Sequence, residues 1–249
     1  RYLFAASIRR DASSRFGANN RWGYFPSVSA GWNIGREAFM EGSSINNLKL
    51  RGSWGKTGND NIGDYLYSST LLTNFIYPIG GSAVQGTTAN GLANPDLKWE
   101  ETTMRNIGLD VGINDNQFTF TLEYYNNKSD DLLIDLPLPL SHGYNNPNLT
   151  SNVGSVKTKG FEFNFGYNDY QGDFTWSANL NISHSQNEVL TLNSSGESSP
   201  IYGGNFEGEN LSAISVNEPL FYFYGYQFDG IYQNEAEVDA VLSANPNQD

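Results

Sequence analysis

The sequence predicts an all-β fold, part of a large antiparallel β-barrel that crosses a membrane and carries long loops on one side. Three observations lead to this prediction: apolar and polar residues alternate in seven segments, short and long links alternate between the segments, and aromatic residues fall near segment ends. Alternation alone is also typical of a soluble sandwich, with one face on a core and one in water. The links and the aromatics therefore decide between the two architectures.

Residues 118–125, FTFTLEYY, show the alternation most clearly. Because successive side chains of a strand point to opposite faces, Phe118, Phe120 and Leu122 share one face, and Glu123 lies on the other. The same test predicts strands at residues 2–8, 28–34, 48–54, 107–113, 118–125, 161–167 and 174–182. Each is close to the roughly 9 to 11 residues that a tilted strand needs to cross a bilayer.

If hydrocarbon covers the apolar side of these strands and water fills the other, the alternation assigns residues to each side. The predicted lipid-facing residues are Ile107, Leu109, Val111, Phe118, Phe120, Leu122, Phe161, Phe163, Phe165, Trp176 and Leu180. The predicted lumen-facing residues are Asn106, Asp110, Glu123, Asn164, Asn179 and Asn181. Their mixed polarity suits a wet passage better than a tight binding site.

The links between the predicted strands differ in length. Short or moderate links occupy residues 35–46, 114–117 and 168–173, whereas long links occupy residues 9–23, 56–99, 126–155 and the chain after His184. Because short and long links alternate, all short turns are expected at one end of the sheet and all long loops at the other. Outer-membrane barrels show this asymmetry, and a soluble sandwich has no reason to sort its loops.

Aromatic residues support the same architecture. Near the short turns we expect Trp32, Phe118, Tyr167, Phe174 and Trp176, and near the long loops Tyr24 and Tyr124. Such positions are typical of the aromatic girdles at membrane interfaces, although aromatic residues also pack well on any pleated sheet.

Composition excludes several classes of protein. The chain of 249 residues has no cysteine, which excludes a disulfide framework and thiolate metal sites. All 14 Lys and Arg lie in residues 1–159, while residues 160–249 hold 13 acids and no base, so the net charge of −13 belongs to the last third. This acidic part repels phosphate backbones and makes nucleic acid an unsuitable partner. The chain opens within an alternating segment, so we expect an interior piece of a longer polypeptide.

Residues for catalysis or metal binding are sparse. His142 and His184 are the only histidines and fall in or beside different long loops, so no zinc site and no cofactor are expected. The carboxylate pairs Asp130 with Asp131 and Glu207 with Glu209 could flank a glycosidic bond, but nothing fixes the separation that glycosidases need. The sequence therefore predicts a protein that is not an enzyme.

Loops rich in aromatic and amide side chains are better suited to binding. Aromatic rings stack on the apolar faces of sugars, and amides and carboxylates hydrogen-bond hydroxyl groups. Packing among the loops is the competing interpretation for each ring. The candidate substrate-binding residues are Trp22, Tyr65, Tyr67, Trp99, Tyr144, Tyr202, Tyr222, Tyr224 and Tyr226.

Seven stretches resemble, in chain order, the late barrel region of SusC/RagA-type TonB-dependent transporters of Bacteroidetes. They are RDASSRFGANNRWGYFPSVSAGWNI (10–34), LKLRGSWGKTGN (48–59), NPDLKWEETT (94–103), GLDVG (108–112), YYNNKSDDLL (124–133), NVGSVKTKGFEF (152–163) and FYGYQFDGIYQ (223–233). Each stretch alone is a weak signal, but seven in order cover nearly the whole chain.

The resemblance implies a plugged barrel of 22 strands in the outer membrane. It also implies a SusD-like surface lipoprotein as partner, energy from the TonB complex, and uptake of oligosaccharides or oligopeptides. Residues 1–249 would form the C-terminal part of the barrel, without leader, plug, early strands or last strands, and residues 185–249 a long acidic extracellular loop region. A soluble or surface-attached β-sandwich that binds glycan and a β-rich hydrolase remain as alternatives.

Overall fold

The computed structural model describes residues 1–138, 141, 143–144, 146, 148–169, 173–192, 200–228 and 230–244. Its main feature is an antiparallel sheet of seven strands. These are β1 (Tyr2–Ala12), β2 (Trp22–Asn33), β3 (Ile45–Asn59), β6 (Glu100–Ile113), β7 (Phe118–Pro137), β8 (Asn148–Asp169) and β9 (Trp176–Thr191). Their order across the sheet is β1-β2-β3-β6-β7-β8-β9. Each predicted segment coincides with one strand, apart from end residues such as Ile34 and Phe174, so the all-β prediction is confirmed.

Smaller elements occupy the connections. A hairpin of β4 (Leu71–Ile79) and β5 (Ser82–Ala89) lies between β3 and β6 in the chain, and β10 (Ile201–Phe206), β11 (Glu209–Ile214) and β12 (Tyr222–Phe223) form a separate small sheet. Helix α1 (Glu235–Ala244) begins after Asn234, whose side-chain oxygen accepts a hydrogen bond from the Glu237 backbone N–H at 3.1 Å. No helix in the described ranges has the length and apolarity that a membrane crossing requires.

The lengths of the links differ from the prediction. The first loop-side link spans only residues 13–21, which is shorter than the turn-side link at residues 34–44. The predicted link at residues 126–155 is mostly strand, because β7 continues to Pro137 and β8 begins at Asn148. The strict alternation of short and long links was therefore wrong for the first pair.

The strands that run past the predicted ends explain this difference. Beyond the apolar segment of β7, residues 126–131 are polar on both faces, so the alternation stops there, while backbone pairing continues from Asn126↔Lys159 to Pro137↔Asn148. Similarly, β9 continues to Thr191 and pairs with Ser155. At the loop end of the sheet, β7, β8 and β9 thus continue well beyond their apolar segments, which the strands do not do at the turn end.

The two faces of the sheet differ in chemistry, as the alternation predicts. On the apolar face one cross-strand row runs Tyr2, Trp32, Leu50, Leu109, Leu122, Phe163 and Ile182. In the described part of the chain no second layer covers this face: Ile107 is 53% exposed, Leu122 49% and Leu180 51%. A soluble sandwich would bury these side chains, because its apolar faces pack against each other.

The apolar band crosses the sheet obliquely. On β9 the last apolar residue of the band towards the loops is Ile182. The cross-strand row of Ile182 ends at Tyr2 on β1, but on β1 the band continues for six more residues towards the loops, to Ile8. Six residues over six strand intervals correspond to one residue of stagger per strand. With a rise of about 3.4 Å per residue and a strand spacing of about 4.8 Å, the strands are tilted by about 35° to the normal of the band. This value lies at the lower end of the tilt typical of barrels.

A hydrophobic core on the loop side of the seven-stranded sheet joins two links. Phe16 and Leu97 are fully buried, and the Trp99 ring packs between Phe16 and Phe25 with ring centroids 5.5 and 5.4 Å apart. We call Phe16, Phe25, Leu97 and Trp99 the rim core. The indole Nε1 of Trp99 donates to the Arg21 carbonyl at 3.0 Å, which fixes the first link against the start of β6.

Candidate functional site

A three-residue ionic cluster lies on the polar face of the sheet. The Arg51 guanidinium donates from Nη2 to Glu123 Oε2 at 2.6 Å and from Nε to Asp110 Oδ2 at 3.3 Å. The three side chains come from β3, β6 and β7, and each is only 24–33% exposed. Charge-assisted bonds of this kind are among the stronger polar contacts, so the cluster ties three neighbouring strands together.

Gly108 makes room for this cluster. It lies between Asp110 and Asn106 on β6 and directly opposite Arg51 in the register. A Cβ atom at this position would lie 2.6 Å from Arg51 Cζ, so any larger residue would displace the guanidinium. Glycine therefore allows a long cationic side chain to lie flat against the wall and reach β7.

Amide side chains continue the polar face towards β9. Asn164 on β8 pairs in register with Asn181 on β9, and Asn179 lies opposite Gly166. All six predicted lumen-facing residues lie on this face, and all eleven predicted lipid-facing residues lie on the other. The arrangement offers hydrogen-bonding groups along the whole surface of this face.

A pocket lies on the polar face at its loop end, beneath the rim core. Its volume is about 690 Å³, and its lining combines the Phe25 and Trp99 rings with Asp60 and with Arg9 and Asp11, whose side chains form an ion pair at 2.6 Å. We call this the rim pocket. Aromatic rings beside paired charges are suited to solutes that have both apolar and hydrogen-bonding faces.

Trp22 lies elsewhere. It is the first residue of β2 and shares the apolar face with Tyr24 and Val28. The Arg10 guanidinium carbon stands 3.8 Å above the Trp22 ring and 5.4 Å from the Tyr24 ring. This cation–π stack lies on the face of the sheet opposite the rim pocket, so Trp22 does not line that pocket.

The candidate tyrosines fall into separate groups. Tyr65 and Tyr67 follow β3, with ring centroids 6.4 Å apart, and Tyr144 is half-buried near the tip of the β7–β8 hairpin. The other four, Tyr202, Tyr222, Tyr224 and Tyr226, lie on or beside the small β10–β12 sheet. Tyr202 and Tyr224 pack with ring centroids 5.0 Å apart, and the hydrogen bond of the Tyr202 hydroxyl with Tyr224 raises the pKa of that hydroxyl.

The carboxylate and histidine candidates are occupied or distant. Asp130 pairs with Lys128 and Asp131 with Lys98, both at 2.8 Å. Glu207 and Glu209 flank the tight β10–β11 turn. His184 packs against the Phe161 ring on the apolar face, with centroids 5.9 Å apart, and His142 lies outside the described residues. In the described part of the chain no group of three such side chains is placed to hold a metal ion.

The sequence predicted the polar face but missed the residues that organise it. The alternation in residues 48–54 places Lys49, Arg51 and Ser53 on one polar side, yet the partners of Arg51 depend on the strand register, which one sequence does not reveal. Phe25 also shares the polar face, with Ser27 and Ser29, so alternation gave no indication of its place in the rim core. The rim pocket follows from these tertiary contacts.

Comparison with known proteins gives the family. Residues 1–238 match the family model described as TonB dependent receptor-like, beta-barrel. The chain is 38% identical over 237 residues to TonB-dependent receptor P39 of Formosa agariphila, covering 94% of this chain and 21% of the relative. It is 38% identical over 245 residues to TonB-dependent receptor SusC of Bacteroides thetaiotaomicron, covering 96% and 24%.

Solved structures agree with this match. The RagAB peptide transporter superposes with a TM-score of 0.80 at 29% identity, over 93% of this chain and 24% of that one. The chain thus spans about a quarter of the length of the relatives that it matches. A sheet with one uncovered apolar face, an oblique apolar band and a polar inner wall agrees with the sequence match, and the chain belongs to the TonB-dependent receptor β-barrel family.

Proposed function

We propose that the protein containing this chain imports oligosaccharides or oligopeptides across the outer membrane. The seven-stranded sheet is part of its barrel wall, a SusD-like surface lipoprotein covers the mouth, and the TonB complex supplies the energy. The transporter performs no covalent chemistry on its cargo. The family consists of outer-membrane receptors and transporters, which supports this proposal at the level of the class.

One observation carries the proposal for this chain. The apolar face is uncovered across all seven strands while the opposite face carries the Arg51 cluster and a run of amides. Only an apolar solvent outside and water inside satisfy both faces without a second protein layer. The alternative of a soluble glycan-binding sandwich requires that missing layer, so the structure favours the transporter.

The rim pocket is the proposed first contact for cargo inside the mouth. Trp99 and Phe25 present ring surface, and Arg9, Asp11 and Asp60 present charges and hydrogen-bond acceptors. The tyrosines of the small sheet, together with Tyr65, Tyr67 and Tyr144, are proposed to meet cargo or the lipoprotein outside the mouth. Trp22 is excluded from this set because it lies on the apolar face.

Cargo class is tested by uptake. Cells that carry the full-length transporter and its neighbouring lipoprotein are given fluorescently labelled oligosaccharides or oligopeptides, with a strain lacking the transporter as reference. We expect accumulation of one class, lost when the TonB complex is inactivated. The RagAB relative transports peptides, and SusC is a receptor of the same family, so both classes are included.

A pair of variants links uptake to the rim pocket. Asp60→Asn changes one charge in the pocket, and Asp96→Asn makes the same change on the neighbouring link, outside the pocket lining. Uptake is expected to fall for the first and to stay unchanged for the second, at equal amounts of protein in the outer membrane. Uptake that is independent of TonB, or protein found only in the soluble fraction, would contradict the proposed function.

A further inference from the structure

Six basic residues border the apolar band on its loop side, all on the apolar face of the sheet. They are Arg10, Lys56, Arg105, Lys128, Lys157 and Lys159, and we call them the cationic belt. The belt holds nearly half of the 14 Lys and Arg of a chain whose net charge is −13. Such a concentration on one face and along one edge of the apolar band needs a physical cause.

The strand register brings four of these residues into a patch on β6, β7 and β8. Lys128 on β7 lies directly opposite Lys157 on β8, and Lys159 lies one row closer to the apolar band, opposite Asn126. Arg105 occupies that same row on β6, two strand spacings from Lys159, or about 10 Å. Like charges placed directly opposite destabilise a sheet unless an anion lies between them.

The acids near the patch neutralise only part of it. Lys56 pairs with Glu101 at 2.6 Å and Lys128 with Asp130 at 2.8 Å. Glu188 is the cross-strand neighbour of Lys157. Among the described residues, however, Arg105, Lys157 and Lys159 form no ion pair within 4.0 Å. These three side chains therefore have unused capacity for an anion from outside the chain.

The height of the patch corresponds to a headgroup layer. From Ile113, the last apolar residue of β6 on the turn side, to Arg105 is eight residues, or about 27 Å along the strand. At a tilt of about 35° this is about 22 Å along the membrane normal, close to the ~25 Å apolar band of outer-membrane barrels. Lys and Arg at such a boundary keep their charge in the polar layer and lay their methylene groups on the apolar band.

The opposite border of these three strands, on the turn side, has the reverse character. Its turns and strand ends carry Asp115, Asp169 and Asp173 and contain no Lys or Arg in residues 114–117 or 168–175. The contrast shows that the belt is not a general feature of strand ends. It marks one leaflet, the one on the loop side.

We infer that Arg105, Lys157 and Lys159 form a binding site for the phosphate groups of a lipid headgroup in the outer leaflet. The planar guanidinium of Arg105 offers paired donors that match phosphate oxygens, and the two lysines add point charges from the next strand but one. The acyl chains of the same lipid would continue onto Ile107, Tyr124 and Phe161, the adjoining row of the apolar face. This inference rests on the proposed function, because it requires the apolar face to lie in a membrane.

The site is tested with the purified full-length transporter in a zwitterionic detergent. Native mass spectrometry measures the binding of diphosphoryl lipid A and of phosphatidylcholine to three proteins. These are the wild type, the neutral variant Arg105→Gln/Lys157→Gln/Lys159→Gln, and the charge-preserving variant Arg105→Lys/Lys157→Arg/Lys159→Arg. Each basic residue near an anionic surface contributes about a fivefold factor, so the neutral variant, which loses three, should bind lipid A about a hundred times more weakly. The charge-preserving variant should keep most of the binding.

Four outcomes would overturn the inference. The first two are equal lipid A binding by the wild type and the neutral variant, and no preference of the wild type for lipid A over phosphatidylcholine. The third is displacement of the lipid by an equal concentration of inorganic phosphate. The fourth is an equal loss of lipid A binding in Arg36→Gln, which removes a charge on the turn side. Outer-membrane fractionation and cargo uptake of the neutral variant are measured in parallel. Normal uptake with unchanged lipid binding would reject the lipid site alone, whereas absence of the wild type from the outer membrane would reject the proposed function.

Discussion

Leu122 provides the sharpest test of which solvent each face meets. It lies on the apolar face of β7, four residues from Phe118 on the turn side and four from Asn126, which shares a row with Lys159. Four residues at the derived tilt correspond to about 11 Å, so Leu122 is close to the midplane of the band. A lysine here would be about as far from either polar layer as this sheet allows.

The expected cost of Leu122→Lys follows from this depth. Lys or Arg at the midplane of a membrane barrel costs about 2–4 kcal/mol on the lipid side and less than about 1 kcal/mol near the interfaces. The adjacent Thr121→Lys is the matched control, because Thr121 lies on the polar face, opposite Asp110 and Asn164. The new ammonium group would there meet water and a carboxylate, so a change below about 1 kcal/mol is expected.

The assay compares the two variants in the full-length protein. Reversible urea unfolding in lipid vesicles gives the free energy difference, and heat-modifiable migration on a denaturing gel reports the amount of closed barrel. The reasoning requires that Leu122→Lys is the more damaging change. If both variants lose the same stability, or if Thr121→Lys loses more, hydrocarbon does not cover the apolar face.

Three further variants test the inner wall and the rim. Gly108→Val is expected to push Arg51 from its two carboxylates and to lower the free energy of unfolding by about 1–3 kcal/mol. An unchanged free energy of unfolding in urea would show that the guanidinium moves aside without loss. Trp99→Ala removes the centre of the rim core, and loss of a large buried aromatic side chain lowers the free energy of unfolding by about 3–5 kcal/mol. The variant should therefore expose residues 13–21 to limited proteolysis, and a cleavage pattern like that of the wild type would refute this. Asn152→Ala removes its hydrogen bonds to the Lys98 backbone at 3.0 and 2.9 Å and should raise amide exchange at residues 94–99; equal exchange would mean that the rim core and the Asn94 contacts hold this segment without Asn152.

The strands of the wall could be predicted from sequence because two solvents act on their two faces. Each of the seven predicted segments forms part of a strand, and Phe118, Phe120 and Leu122 share one face as expected. The same physics explains the missed ends. Residues 126–131, NNKSDD, are polar on both faces and carry no period-two signal, although the backbone pairing of β7 and β8 continues past them.

The contacts between distant parts of the chain could not be predicted. Arg51 reaches Glu123 across β6, 72 residues further along the chain, and only the register shows that Gly108 clears the path between them. The sequence predicts the same role, substrate binding, for Trp22 and Trp99, because both are aromatic residues in or beside loops. Their environments differ because Trp22 begins a strand with its ring on the apolar face, while Trp99 closes the rim core.

The overhang of β7 and β8 has a mechanical consequence. From Lys128, at the height of the cationic belt, to Pro137 is nine residues, so this ribbon rises about 25 Å above the headgroups at the derived tilt. Backbone pairing stiffens it, and Asn94 and Lys98 fasten its β8 side to the neighbouring link. In the proposed transporter this ribbon would form a fixed wall on one side of the entrance, along which a solute passes before it reaches the level of the bilayer.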